Sequence, residues 1–483
     1  MKFKDFVYLA LLTASSLVVH GYHPGAEDAE IYIPGIKVLV NPSLYPFGRE
    51  FFFSQTRMTF FPNLVAASVR YSHLPFDSVI LLWQVLSISL LLLACLQLGR
   101  LFFAEERASW GGVTLMWALL TLPVSGTALY IVDQYVNPRA YVLLATVFAT
   151  TAILKGKYLQ VALWLAFAAA IHPLMAAFMV SWLFFLVALR QIESFTVPVF
   201  GLLPLGILVP YPSLAYREIV QSHRYFFLMR WEWYEWLGIF GPLLILYGFS
   251  RLARKQGLRD LESACRALIP FGLFYFVLAA VITIPNRLIS LARIQPLRNL
   301  QMEYVLLIVI GGGFLGKWIM KKRVWPWLVL CGVVSTGMFI AARGIFPSMP
   351  QVEWPGVVPP NDWLQAFAWI KDNTPTSAIF ALNPEHMRLP GEDAQGFRAL
   401  AERSRLADAV KDSGAATLLP GEPIAEHLQE QLEAQKGWSN YDLADFERLR
   451  RLYGVSWVVL DQKKDIRLFC PYANATLRVC RLP

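Results

Sequence analysis

Apolar runs of about 15 residues or more recur from the N-terminus to about residue 342, and Lys and Arg fill every second gap between them. That alternation constrains the chain more than any motif in it. An α-helix needs about 20 apolar residues to cross a bilayer, slightly fewer when its ends snorkel. Eleven runs qualify, near 4–20, 76–98, 109–131, 138–154, 158–172, 174–190, 195–210, 234–250, 267–284, 301–319 and 324–342. The fourth and fifth are short and read either as full spans or as a tight helical hairpin that stops short of crossing. A charged fraction of 16% and a mean hydropathy of +0.46 fit an integral membrane protein, not a soluble one.

The first run follows a basic start, MKFKDF, as the core of a signal peptide does. Ser15-Ser16-Leu17-Val18-Val19-His20 offers no small-x-small cleavage pattern, so the run reads as a retained helix. The positive-inside rule then sets the orientation. With the N-terminus cytoplasmic, the cytoplasmic gaps hold Lys2 and Lys4; Arg100 and Arg107; Lys155 and Lys157; Arg190; Arg251, Arg254, Lys255, Arg259 and Arg266; Lys317, Lys321, Lys322 and Arg323. An odd number of spans puts everything after Arg343 outside. The formal charge of +9 is therefore mostly a topology signal. Residues 351–483 carry 15 basic and 18 acidic residues, which implies no nucleic-acid surface.

Residues 1–343 thus form an all-α polytopic membrane domain with a long first outer loop at 21–75. Within that loop, 27–40 and 56–72 read as amphipathic helices in the membrane interface, with Arg57 and Arg70 on the polar side of the second. Residues 344–360 are a stiff Pro-rich linker, and 361–483 an extracytoplasmic α/β domain. That domain opens with Asn361-Asp362 as an N-cap. Strands are expected at 377–382 and 455–460, helices near 396–412, 423–437 and 441–453, a C-cap at Gly454 and a terminal hairpin over 467–482. Cys470 and Cys480, ten residues apart across a turn, favour a disulfide in an oxidising compartment, against two free thiols on adjacent strands. Gly311-Gly312-Gly313 sits inside an apolar run and reads as close helix packing, not a phosphate loop.

The outer gaps hold what topology does not explain. None of the seven His residues falls in a cytoplasmic gap. Glu27, Asp28 and Glu30 sit just beyond the first span; alone they read equally as a hydrated helix start. Asp133 and Arg139 share a short outer turn, as a site or as a structural ion pair. His172 ends the fifth run. Arg287, Arg293 and Arg298 oppose the positive-inside trend with few carboxylates nearby; their partners are lipid headgroups or, more sharply, a bound lipid phosphate held by guanidinium. His20-x-x-His23 followed by Glu27 and Asp28 is a weak pattern for a divalent metal, the only cofactor the chain hints at.

Taken together, the acidic pair after the first helix (Glu27-Asp28), the distal outer segment bearing Arg293 and Arg298, and the outer C-terminal domain resemble the C-type glycosyltransferase superfamily. The strings HPGAEDAEIYIPGIK, DQYVNPRA, IHPLMAAF, QPLRNLQ and GEDAQGFRALAERSRLADAVKDSGAATLLP more narrowly resemble an uncharacterised family of bacterial membrane proteins. The acidic motif is Glu-Asp-Ala-Glu and not a plain Asp-x-Asp. The superfamily resemblance implies an inner-membrane enzyme that takes a sugar from a polyprenyl-phosphate-linked donor to an acceptor outside. Asp28 would serve as base or orienter, with Glu27 tuning it or holding a metal. Arg293 and Arg298, with Arg287 and Arg139, would neutralise the departing phosphate. Glu30, His23, Asp133 and His172 would support them. The outer domain would cover the cleft or bind the acceptor, with Gly391–Arg398 and Arg403-Ser404-Arg405 read either as contacts or as an ordinary turn and helix start. Two other functions compete. A transporter calls for mid-span charges lining a path, and the runs are nearly charge-free. A non-catalytic scaffold or receptor predicts no functional loss from Asp28→Asn or Arg298→Ala.

Overall fold

The computed structural model describes residues 2–191, 212–321 and 323–483. The membrane part comprises α1 (Phe3–His20), α2 (Ala29–Val40), α3 (Glu50–Met58), α4 (Phe61–Ser72), α5 (Phe76–Phe102), α6 (Glu106–Ala118), α7 (Pro138–Leu154), α8 (Tyr158–Ile171), α9 (Pro173–Gln191), α10 (Leu214–Ser222), α11 (Trp233–Lys255), α12 (Arg259–Thr283), α13 (Leu300–Phe314) and α14 (Trp325–Ile345). Among the described residues, seven helices are long and apolar enough to cross a membrane, not eleven. Ionic contacts tie together the ends expected to be cytoplasmic. Arg100 pairs with Asp5 at 2.9 Å, and Lys317 with Glu105 at 3.6 Å.

The shortfall from eleven has local causes. The third run, 109–131, is helical only to Ala118. Pro123 cannot continue a helix, and Gly126 turns the chain at φ +64° into a two-residue hairpin, β1 (Pro123–Val124) and β2 (Leu129–Tyr130). Hydropathy counts the leucines there and misses the breakers. The fourth and fifth runs are helices of only 17 and 14 residues. Helix α7 is buried along nearly its whole length, enclosed by α5, α8 and α9. The seventh run, 195–210, lies outside the described residues. Glycine packing joins α6 to α13: a Cβ on Gly312 would stand 2.5 Å from the Gly111 carbonyl oxygen, and one on Gly112 would stand 2.7 Å from that of Val309.

Of the two segments expected in the membrane interface, the first is covered by protein, whereas the second, α4, keeps an exposed face. Helix α2 is buried from Ala29 to Val38, packed against α3, α4 and the C-terminal domain. Its Lys37 ammonium reaches across that contact to the Ala399 carbonyl (2.8 Å) and the Glu402 carboxylate (2.7 Å). The Pro-rich linker is equally engaged. Phe346 and Met349 are buried, and residues 351–353 run beside Tyr22, exchanging backbone hydrogen bonds with it at 3.0 Å.

Residues 361–483 carry a five-stranded sheet ordered β4-β3-β5-β7-β6. Strands β3 (Ile379–Ala381), β4 (Ser404–Arg405) and β5 (Trp457–Asp461) are parallel; β6 (Phe469–Ala473) and β7 (Leu477–Arg481) form the antiparallel terminal hairpin. Asn361 caps α15 (Asp362–Asn373), its side-chain oxygen accepting from the Trp363 and Leu364 amides. The helix expected over 396–412 is instead α16 (Phe397–Ala401), strand β4 and α17 (Asp412–Ala416). Glu402 adopts φ +53°, which ends α16 and sends the chain into the sheet edge. Helices α18 (Ile424–Ala434) and α19 (Leu443–Tyr453) follow, the latter closed by Gly454 at φ +72°. Cys470 and Cys480 are disulfide-bonded across the hairpin, S–S 2.04 Å.

Candidate functional site

The Glu27-Asp28 pair is fixed by its neighbours before any side chain acts. The Glu27 amide donates to the Ala394 carbonyl and the Gly396 amide to the Gly25 carbonyl, both at 2.8 Å, so residues 394–396 hold the loop from above. Glu27 takes φ +54°, a left-handed turn rare for a side-chain-bearing residue. The pair and Glu30 therefore leave the turn in different directions.

Arg139 comes to Asp28 from the start of α7. Asn137 caps that helix by accepting from the Arg139 amide at 2.8 Å, and Pro138 occupies the first turn. Asn137 also donates to Asp133 at 2.5 Å, and Asp133 accepts from the Arg139 guanidinium at 3.2 Å. The string Asp133–Arg139 is thus a device for aiming one guanidinium. Its two terminal nitrogens both reach Asp28 Oδ2 at 3.2 Å. The other Asp28 oxygen takes Lys411 Nζ at 3.2 Å, and Lys411 also bonds Glu27. Arg139 is 3% exposed at its side chain and Asp28 27%, so the cluster is buried on one side and open on the other.

Electrostatics follow from that bracket. Burial alone would raise the Asp28 carboxyl, but Lys411, Arg139 and Arg298 outweigh it and hold the group well below the usual carboxylate range. Burial likewise opposes the Lys411 charge, and Glu27 and Asp28 overcome it, holding the ammonium above the ordinary lysine range. Asp133 shifts the other way, raised by burial against the pull of Arg139. Arg298, in the turn Pro296–Asn299, is near enough to act on Asp28 and Arg139 but makes no salt bridge within 4 Å among the described residues. Its Nε is buried without an acceptor, beside a water-sized cavity of about 10 Å³ that Tyr225, Trp231 and Gln295 also line. Tyr32, pushed up to about 12 by burial, and Tyr225, also raised by burial, border the cluster as protonated hydroxyls.

Asp28, Glu27, Asp133, Arg139 and Arg298 are therefore brought together, and His172 lies within electrostatic reach of Arg139 and Arg298. Others are not. Arg293 donates to the Leu418 carbonyl, tying the helical part to the C-terminal domain. Arg287 is exposed and has no hydrogen bond or salt bridge among the described residues. His23 bonds Glu353 at 2.7 Å and stacks on Phe346, while His20 bonds Thr121 and the Trp117 carbonyl. The His20-x-x-His23 pair therefore diverges. Among the described residues, no group of three His, Cys, Asp or Glu is placed to hold a metal ion. A roomier cavity of about 230 Å³ opens beside residues 22–25, lined by Tyr22, Lys37, Asp77, Glu353 and Trp354, without touching Asp28.

Glu30 and the arginines of the C-terminal domain form a clamp through internal partners. Glu30 accepts from the Arg398 and Ala399 amides at 3.0 and 2.9 Å and from the Arg398 guanidinium at 3.4 Å. Arg398 grips Asp412 through two bonds of 2.8 Å. Arg403 is spent on the Lys371 and Thr374 carbonyls, and Arg405 on Asp408 and His386. Burial, then Arg405, pushes His386 down to about 4, while burial pushes Glu30 up to about 7. The signs oppose. An unfolded His takes its proton near pH 6.5, before the folded one, so acidification costs stability from about 6.5 down to 4. The folded Glu30 takes its proton before the unfolded one, so acidification between about 7 and 4.5 adds stability. His386→Gln removes only the first term. Its melting temperature is expected to rise relative to wild type as pH falls from 7 to 5; a constant difference would contradict the assignment.

Lys411 is the residue that sequence reasoning missed. The carboxylates at 27–30 have no basic residue nearby in sequence and so call for a cation from elsewhere, but nothing distinguishes Lys411 among the 15 basic residues after 351. Neither a scan against protein-family models nor a search of curated proteins finds a match for the chain.

Proposed function

We propose that the protein is an integral membrane glycosyltransferase of the bacterial inner membrane, moving a sugar from a polyprenyl-phosphate-linked donor to an acceptor on the outer face. The observation that carries this reading is the open-sided cluster in which Asp28 lies between Arg139 and Lys411 while Arg298 stands beside it without a salt bridge among the described residues. A guanidinium left in that condition at the edge of a bilayer calls for an anion. A lipid-linked phosphate supplies one, and its isoprenoid chain would stay in the membrane.

In this mechanism the bond between the sugar's anomeric carbon and the phosphate oxygen breaks, and its electron pair leaves with the polyprenyl phosphate. Arg298 and Arg139 stabilise that charge as it develops. The acceptor hydroxyl oxygen bonds the anomeric carbon, and its proton passes to the Asp28 carboxylate. Asp28 is a poor base while Lys411 and Arg139 hold it. The incoming phosphate draws those cations toward itself and so raises the basicity of Asp28 when the donor is seated. Glu27 keeps Lys411 in reach of both. The distribution of Lys and Arg supports a cytoplasmic N-terminus, which would put this chemistry on the outer face.

A scaffold reading keeps one point in its favour, since Asp28 is already satisfied by internal partners. Binding of a labelled polyprenyl-phosphate sugar to the purified full-length protein separates the two. Wild type is expected to bind; Arg298→Ala is expected to weaken binding by about 10- to 100-fold, the worth of a charge-assisted contact; Arg287→Ala is expected to change nothing. Absence of saturable binding by wild type would overturn the proposal.

A further inference from the structure

A second recess lies at the opposite end of the membrane part, where α7 turns into α8. It has a volume of about 520 Å³. Its floor is apolar. Phe148 and Trp164 stack face to face, ring centroids 4.8 Å apart and planes 6° from parallel, and Phe167 meets Trp164 edge-on. Its rim carries Lys155, Lys157, Gln97 and Gln160, and among the described residues none that lines it is acidic. Among the described residues, the side chains of these four and the Trp164 indole make no hydrogen bond or salt bridge to the protein.

Helix length explains why the recess exists. Helices α7 and α8, with 17 and 14 residues, rise only about 26 and 21 Å, against roughly 30 Å of hydrocarbon. Helix α5 beside them has 27 residues. Gln97 of α5 lines the recess beside Lys155 and Lys157, and α5 runs on to Phe102, so the turn stops short of where its long neighbour ends. Gly156 supplies the turn at φ +68°. Two ammonium groups at headgroup level or below, over an apolar aromatic floor and without a counter-ion, present a phosphate site joined to a hydrocarbon site.

We propose that this recess binds one anionic glycerophospholipid from the leaflet on the Lys/Arg-rich side. Lys155 and Lys157 hold the phosphate, Gln97 and Gln160 donate to its oxygens, and an acyl chain lies over the Phe148–Trp164 stack. Nothing in this inference depends on the Asp28 cluster.

Native mass spectrometry of the full-length protein in dodecyl maltoside, with equimolar dioleoyl-phosphatidylglycerol and dioleoyl-phosphatidylcholine, tests it. Wild type is expected to retain a single phosphatidylglycerol about tenfold more strongly. Lys155→Glu/Lys157→Glu is expected to bring the two lipids to parity with an unchanged melting temperature in phosphatidylcholine, and Lys155→Arg/Lys157→Arg to keep most of the preference. Parity in wild type, or a preference that survives the double glutamate variant, would mean ordinary boundary lipid and overturn the site. Full displacement of the lipid by millimolar inorganic phosphate would also overturn it, because the acyl chain would then contribute nothing.

Discussion

Asp28→Asn is expected to lower sugar transfer by about 10²- to 10⁴-fold, the range for removal of a positioned acid–base group, while donor binding holds or tightens. The second half of that expectation gives the test its force. Asp28 is an anion facing Lys411, Arg139 and Arg298, and an incoming phosphate must compete with it for the same cations. Removing its charge removes the competitor. A residue that merely braced the loop would show the opposite, with transfer and donor binding falling together as the cluster loosened. Turnover at saturating donor and a direct binding isotherm separate the cases, with a melting curve to show that the variant is folded. Transfer equal to wild type would take Asp28 out of the mechanism. Glu27→Gln should fall between, because Glu27 is 39% exposed and reaches the reaction only through Lys411.

Arg398→Met is expected to destabilise the protein by about 3–5 kcal/mol, the usual cost of breaking one side of a buried ion pair. Arg398 is fully buried, and its loss strands the carboxylates of Asp412 and Glu30 in the same interior. The change should appear as a large drop in melting temperature and as early proteolysis within 361–483. Adding Asp412→Asn should recover part of the loss, since the carboxylate that Arg398 grips through two bonds is then neutral. A single-variant effect below about 1 kcal/mol would show that the clamp is not what joins the outer domain to α2.

Much of the fold was legible because two periodic signals are strong. Long apolar runs marked the long spans, and Asn361, Gly454 and the terminal hairpin marked the outer domain's elements. The failures share a cause: composition ignores context. Leu129 and Ile131 are apolar because β2 and the residues after it are buried, not because they lie in a membrane helix. Residues 29–38 are apolar because a second domain covers them. Arg403 and Arg405 looked like ligand contacts, but both are buried and are held by backbone carbonyls, His386 and Asp408. Within the candidate site, Asp28, Asp133, Arg139 and Arg298 were legible as polar residues displaced from the topology pattern. Arg293 looked identical and differs only because the Leu418 carbonyl stands within its reach. Lys411 was not legible, since its role depends on a contact spanning most of the chain.

That contact has a consequence for biosynthesis. Lys411 is 383 positions beyond Asp28, and the Ala394 carbonyl that holds Glu27 is nearly as distant. During synthesis the first loop is made before every later helix. The segment that sets the ionisation of Asp28 is made long afterwards. A ribosome stalled before residue 411 leaves a chain with its helices in place and Asp28 without its ammonium partner. The cluster is therefore completed only as one of the last acts of assembly.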